Sequence, residues 1–268
     1  MKFSLTVLGT GGSAGLPQIG GADGAGDWGG CDPTEPRNRR SRASVVISTP
    51  AGNLLIDTSP ELRQQLTNAG IGKIDAVLFT HAHADHIAGF DEIRILNRIL
   101  GQPMPSFANE ATWAELRQRF DYAFAPWSGS GFYRPVLDIQ QVAAGETLPI
   151  LGLPIQLLDQ DHGFMRSLGL RIGDLAYCTD VVRFAPAALA ALHGVKTLII
   201  DCFTRGAPHP THANLDQVRA WVDALRPTRT ILTHMGPDMD YHFLRTTLPP
   251  GIEPGYDGMV IEGNCHGI

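Results

Sequence analysis

The chain has 268 residues, 43% of them hydrophobic and 18% charged, with a formal net charge of −6. That length buries a sizeable core and fits one large domain or two small ones. The acidic balance argues against a general nucleic-acid binder, whose affinity rests on Lys and Arg neutralising phosphates, and no apolar run reaches membrane-spanning length.

In chain order, Met1 to Leu8 alternates partly and runs into Gly9-Thr10-Gly11-Gly12. It reads as a first strand and turn, because it lacks the long apolar stretch and small-residue cleavage site of a signal peptide. Residues 18–42, Gly-rich and then basic, read as a loop. Strand-like runs follow at 44–48, 53–57 and 75–79, with a helix over Pro60 to Ala69 that Ser59 would cap. Asp91 to Leu100 reads as a helix with Ile95 and Ile99 on one face. Residues 101–135 hold a helix around Thr112 to Phe124 and an aromatic cluster: Phe120, Tyr122, Phe124, Trp127, Phe132 and Tyr133. Ordinary packing and a lid over a site both account for that cluster.

Further strand-like runs occupy 153–158, 168–172, 175–178, 197–201, 229–233 and 258–262. Asn214 to Leu225 carries Leu215, Val218, Val222 and Leu225 at helical spacing. Strands with helices interspersed in both halves, and no linker between, predict one α/β domain over residues 1–268 made of two packed sheets covered by helices. Cys31, Cys178, Cys202 and Cys265 form no Cys-x-x-Cys pair. They read as free thiols of a reducing, cytoplasmic compartment.

The chemistry concentrates at His81-Ala82-His83-Ala84-Asp85-His86, straight after the apolar run Ala76 to Thr80. Imidazoles and a carboxylate at this density suit zinc or a similar divalent ion. Four later strand-like runs also end in ligand-type residues: Asp161-His162, Asp180, Asp201 and His234. The spacing invites a two-ion assignment, with His81, His83 and His162 on one ion, Asp85, His86 and His234 on the other, and Asp180 bridging. Asp161 competes with His162 but ranks second. Asp57 and Asp201 are candidates to orient ligand imidazoles. Asp85 counts with the catalytic set as well as with the ligands.

With Gly9 to Pro17, these residues resemble the metallo-β-lactamase superfamily. Within it the chain is most similar to the phosphoribosyl 1,2-cyclic phosphate phosphodiesterase (PhnP-like) branch, which neighbours the tRNA 3′-processing ribonucleases. The resemblance runs from about Lys2 to Tyr241, and Arg37-Asn38-Arg39-Arg40 helps to narrow the branch. It implies an αββα sandwich of two mixed sheets, two divalent ions at the sheet rims, and hydrolysis of a phosphodiester by a bridging hydroxide. Branch members carry a leaving-group-protonating histidine that best matches His212 in Pro208 to Asn214; His209 is a substrate-binding candidate beside it.

One departure concerns a structural zinc that such relatives often hold with several loop cysteines and a His three residues beyond the last metal His. Here the loop has only Cys31, and Pro237 stands at the distal position, so no structural zinc is expected. Arg37, Arg39, Arg40 and Arg42 form either a solvated basic turn or a clamp on a terminal phosphate. Arg37, Arg39 and Arg40 are therefore substrate-binding candidates.

The sequence thus predicts a hydrolase using two Zn or Mn ions on a small cyclic or linear phosphodiester of phosphoribosyl or nucleotide type, with no membrane partner. Alternatives are a lactone, thioester or β-lactam hydrolase, an RNA-processing nuclease, and a non-catalytic metal-binding protein. The assembly is open between a monomer and a homodimer.

Overall fold

The computed structural model describes residues 1–265. Its first half runs β1 (Lys2–Gly9), β2 (Ser44–Thr49), β3 (Gly52–Ile56), α1 (Leu62–Asn68), β4 (Ala76–Leu78), α2 (Ala84–Ile87), α3 (Ile93–Leu100), β5 (Met104–Ala108), α4 (Glu110–Arg119) and β6 (Leu137–Gln141). Its second half runs β7 (Thr147–Ile150), β8 (Leu153–Asp161), β9 (Arg166–Ile172), β10 (Leu175–Cys178), β11 (Arg183–Phe184), α5 (Pro186–Ala191), β12 (Thr197–Asp201), α6 (Leu215–Leu225), β13 (Arg229–Thr233), α7 (Tyr241–Thr247), β14 (Ile252–Pro254) and β15 (Val260–Asn264). One sheet has the order β15-β1-β2-β3-β4-β5-β6, the other β11-β8-β9-β10-β12-β13-β14 with β7 beside β8. Both are mixed: the β3-β4-β5-β6 and β10-β12-β13-β14 pairs are parallel and the rest antiparallel.

Period-two alternation explains the layering, since successive strand residues face opposite sides. Leu5, Val7, Ile47, Leu54 and Ile56 meet Leu157, Leu170, Tyr177, Ile199 and Ile231 between the sheets. Val46, Leu55 and Val77 point the other way, against Leu62, Leu66 and Leu116 of the covering helices. Leu198, Ile200 and Leu232 likewise meet Val218, Leu225 and Leu244. Strands buried on both faces therefore read as unbroken apolar runs. The result is an αββα sandwich.

Two local expectations need correction, and one open choice is decided in part. Ser59 does not cap α1: Glu61 holds the cap position without a side-chain bond, and the Ser59 hydroxyl instead donates to Gln65. Ile95 and Ile99 face solvent, while Ile93, Leu96 and Asn97 form the buried face of α3. In the 101–135 segment, Phe120 and Phe124 pack on Phe90, and Trp113 on Phe79 beneath the first sheet. That part is sheet-covering core rather than a lid, whereas Trp127 stacks on Phe132 and donates from Nε1 to Gly131 O, and Tyr133 is exposed.

Residues 18–42 are mostly loop, with a single short 3-10 turn at Pro36–Asn38. The loop is tied to the segment after β13 by protein hydrogen bonds. Gly30 N and Cys31 Sγ both donate to the Pro237 carbonyl, and Asp240 accepts from Asp32 N and Asn38 Nδ2. Arg40, 2% exposed, donates from Nη2 to Met239 O at 2.5 Å and Asn38 Oδ1 at 3.2 Å. Burial lowers the Arg40 pKa and pushes the Cys31 thiol up.

Candidate metal centre

Most of the candidate residues stand at or just beyond the carboxyl end of a strand, while His83 caps α2 and Asp85 and His86 lie within it. Asp57 follows β3, His81 lies three residues past β4, His162 follows β8, Asp180 lies two past β10, Asp201 ends β12, and His234 follows β13. In each sheet these strands run the same way, so their ends share one rim. Leu168 N of β9 donates to Thr80 O and joins the two rims. Among the described residues, Asp57, Asp180 and His234 are three of the five non-glycine residues with positive φ, at 64°, 54° and 53°. This left-handed backbone falls just beyond the ends of β3, β10 and β13, at about 1–3 kcal/mol of strain apiece.

The side chains gather in two groups. His81, His83, His162 and Asp180 form one, and Asp85, His86 and His234 the other; Asp180 also gathers with His212 and His234. His83 Nδ1 lies 3.1 Å from His81 Nε2 and 3.0 Å from His162 Nε2. In the second group, Asp85 Oδ2 is 3.4 Å from both His86 Nε2 and His234 Nε2. Asp180 reaches both: its Oδ1 is 3.4 Å from His162 Nε2 and its Oδ2 3.1 Å from His86 Nε2.

The second ring nitrogens of His86, His162 and His81 are committed away from the centre, which fixes their tautomers, whereas His234 Nδ1 is buried without a hydrogen-bond partner. His86 Nδ1 donates to Asp57 Oδ2 at 2.7 Å, and His162 Nδ1 to Thr211 O at 2.8 Å. The Thr80 hydroxyl donates to Asp57 at 2.7 Å and so accepts from His81 Nδ1 at 3.0 Å. Asp201 takes a different task from the expected one: it accepts from His212 Nδ1 at 2.8 Å and from Val181 N at 3.0 Å. His212 in turn stacks on His234 and on Phe203, with ring centroids 4.5 and 5.2 Å apart.

These groups fit divalent cations. Lone pairs on three imidazoles converge at about the spacing of neighbouring ligands around a tetrahedral zinc. His86 Nε2 is buried without a hydrogen-bond partner. Burial pushes the Asp180 carboxyl up, but His234, His86 and His81 pull harder and hold it well below the usual carboxylate range. Burial also opposes charge on His234, yet Asp180 and Asp85 raise its pKa to about 9. The same carboxylates raise His86 against its burial, whereas burial lowers His81, His83 and His162; the negative field that raises His234 and His86 is equally available to a metal ion.

The arginine cluster lies elsewhere. Arg40 is buried in the loop clasp, so it does not serve as the expected substrate clamp. Arg37 sits over Tyr241 and Tyr256, Arg39 over Trp28, and both line a cavity whose walls include none of the clustered ligands. His209 does stand near the centre, with its ring 5.1 Å from that of His212. Two contributors escaped the sequence reading. Thr80 was visible only as the residue before His81, and Phe203 only as an aromatic two residues past Asp201.

A family model described as a beta-lactamase superfamily domain matches residues 52–235, which span every clustered ligand. The chain belongs to that superfamily. A solved structure of a new diphosphatase from the PhnP family is 34% identical, covers 98% of each chain and superposes with a TM-score of 0.86. An octanoyltransferase of Porphyromonas gingivalis is 30% identical over 94% of this chain, which spans 50% of that protein's length. A ribonuclease Z of Mycobacterium bovis is 25% identical over 60% of this chain and 66% of its own. The chain thus combines the metallo-β-lactamase fold with a His/Asp cluster suited to divalent metal. Among the described residues, no helix is long and apolar enough to cross a membrane.

Proposed function

We propose that this chain is a two-metal phosphodiesterase acting on a small cyclic or linear phosphodiester of phosphoribosyl or nucleotide type. The observation that carries the reading is Asp180, whose carboxylate reaches both ligand groups, Oδ1 lying 3.4 Å from His162 Nε2 and from His234 Nε2 and Oδ2 3.1 Å from His86 Nε2, with His212 Nδ1 3.9 Å from Oδ1. His81, His83, His162 and Asp180 would hold one ion, and Asp85, His86, His234 and Asp180 the other. Bound there, Zn or Mn ions supply positive charge that acidifies water and stabilises charge building on phosphoryl oxygens.

The chain's own residues supply the rest. His212 donates a proton to the departing alkoxide from Nε2, because Nδ1 is committed to Asp201. The Asp201 carboxylate fixes the ring direction, while contacts with Phe203 and His234 hold the ring in place. His209 is placed to meet substrate beside it. The likeness to a PhnP-family diphosphatase supports phosphorus over carbon as the centre attacked. The ribonuclease Z relative supports the nuclease alternative, against which the net charge of −6 weighs.

The test is a panel of initial rates for Zn- and Mn-loaded protein on cyclic phosphates, linear diesters, a diphosphate, lactones and thioesters. The reading expects phosphodiester turnover to exceed carbonyl turnover by 100-fold or more. Preferential lactone or thioester cleavage overturns it.

A further inference from the structure

A cavity of about 550 Å³ lies against the end of β1, separate in its walls from the clustered ligands. Four charged residues line it: Arg37, Arg39, Glu61 and Asp257. The two acids are already engaged. Glu61 pairs with Arg42, and each Asp257 oxygen accepts two hydrogen bonds, Oδ1 from Thr10 N and Oγ1 at 2.9 and 2.8 Å, Oδ2 from Ser41 N and Oγ at 2.7 Å each.

The two arginines have no carboxylate within ion-pair distance among the described residues. Their guanidiniums rest on aromatic faces instead, Arg37 4.9 Å from the Tyr241 centroid and Arg39 5.0 Å from that of Trp28. Stacking holds the planes and leaves the N–H edges free to fork onto an oxyanion. Elsewhere in the cavity Val7, Leu8 and Ala69 give an apolar wall, while Tyr256 lies under Arg37 with Tyr241. Gln64 Nε2 donates to Asn68 Oδ1 at 2.6 Å, which leaves Asn68 Nδ2 as a donor beside Gln64 Oε1 as an acceptor.

Paired cations, an apolar wall and a donor–acceptor edge in a cavity of this size describe one chemical class. We propose that the Arg37–Arg39 cavity is a second binding site, distinct from the metal centre, for an organic phosphate with a planar heterocyclic body, as in a nucleoside monophosphate. The phosphate lies on the two arginines, and the ring lies between the apolar wall and the Gln64–Asn68 edge. The site stands independently of the hydrolytic reading, because its walls share no residue with the centre.

Calorimetric titration of the full chain with AMP tests this, run on metal-chelated protein, on metal-loaded protein and on three variants. One AMP per chain should bind the chelated wild type and the Asp180→Ala variant alike. Binding should weaken at least tenfold in the Arg37→Gln/Arg39→Gln double variant, whose exposed positions leave the core intact; unchanged circular dichroism checks that. A Gln64→Ala variant, which removes the donor–acceptor edge, should weaken AMP more than inorganic phosphate. Binding that survives the double arginine change, or that vanishes on chelation or with Asp180→Ala, overturns the proposal. Inorganic phosphate binding as tightly as AMP overturns the assignment of a heterocyclic body.

Discussion

Asp57 accepts the Nδ1 proton of His86 and, through the Thr80 hydroxyl, orients His81, so one buried carboxylate serves an imidazole in each ligand group. Burial raises its pKa, and the bonds from His86 and Thr80 oppose that rise. Replacing it with Ala frees both rings to turn, and metal affinity should fall about 10- to 100-fold, the usual cost of losing such a support. Competition against a chromophoric chelator measures this, and an unchanged affinity would remove Asp57 from the account. His212 permits a sharper test. As a proton donor it matters when the leaving group is an alkoxide and little when it is p-nitrophenolate. His212→Ala should therefore lose about 10²- to 10⁴-fold on a ribose diester and much less on bis-p-nitrophenyl phosphate. Equal losses on both substrates would make His212 a ligand or a packing residue instead.

At the scale of elements, backbone kinks and close approaches position these side chains. A Cβ on Gly12 would stand 2.8 Å from the Phe203 ring, so the turn after β1 must be glycine there for Phe203 to lie against His212. The loop clasp around Asp240 makes a pH prediction. Burial pushes that carboxyl up, but donors from Phe243 N, Asp32 N and Asn38 Nδ2 outweigh it and leave the pKa lowered. A lowered folded pKa contributes stability that is fully present above the unfolded value of about 3.9 and is lost as pH falls through the folded one. The clasp should thus stay closed at neutral pH and loosen only below about pH 4, with Trp28 fluorescence shifting there. Asp240→Asn should remove that acid transition, and a clasp that opens near pH 6 would contradict the assignment.

For the whole molecule, the two-sheet layering was legible because both-sided burial writes itself as unbroken apolar runs, as in Leu54-Leu55-Ile56 and Leu198-Ile199-Ile200. Short or half-exposed edge strands such as β6, β11 and β14 carry too little pattern to be read. The metal-ligand candidates were legible because each follows such a run, and the rim brings them together. Arg40 and the other loop arginines misled for the opposite reason. A basic loop has no periodicity, and only tertiary contacts with Met239, Tyr241 and Trp28 show where its charges go. Asp257 tethers Thr10 and Ser41 from a position that is 247 residues from Thr10, with no local signal to mark it.

The central claim is a pair of ions sharing Asp180. Stepwise addition of Mn²⁺ to metal-free protein, with bis-p-nitrophenyl phosphate hydrolysis followed at each addition, tests it most directly. The account predicts little turnover up to one equivalent, a rise between one and two, and a plateau at two that Asp180→Ala abolishes. Full activity at one equivalent, or none at two, would contradict it.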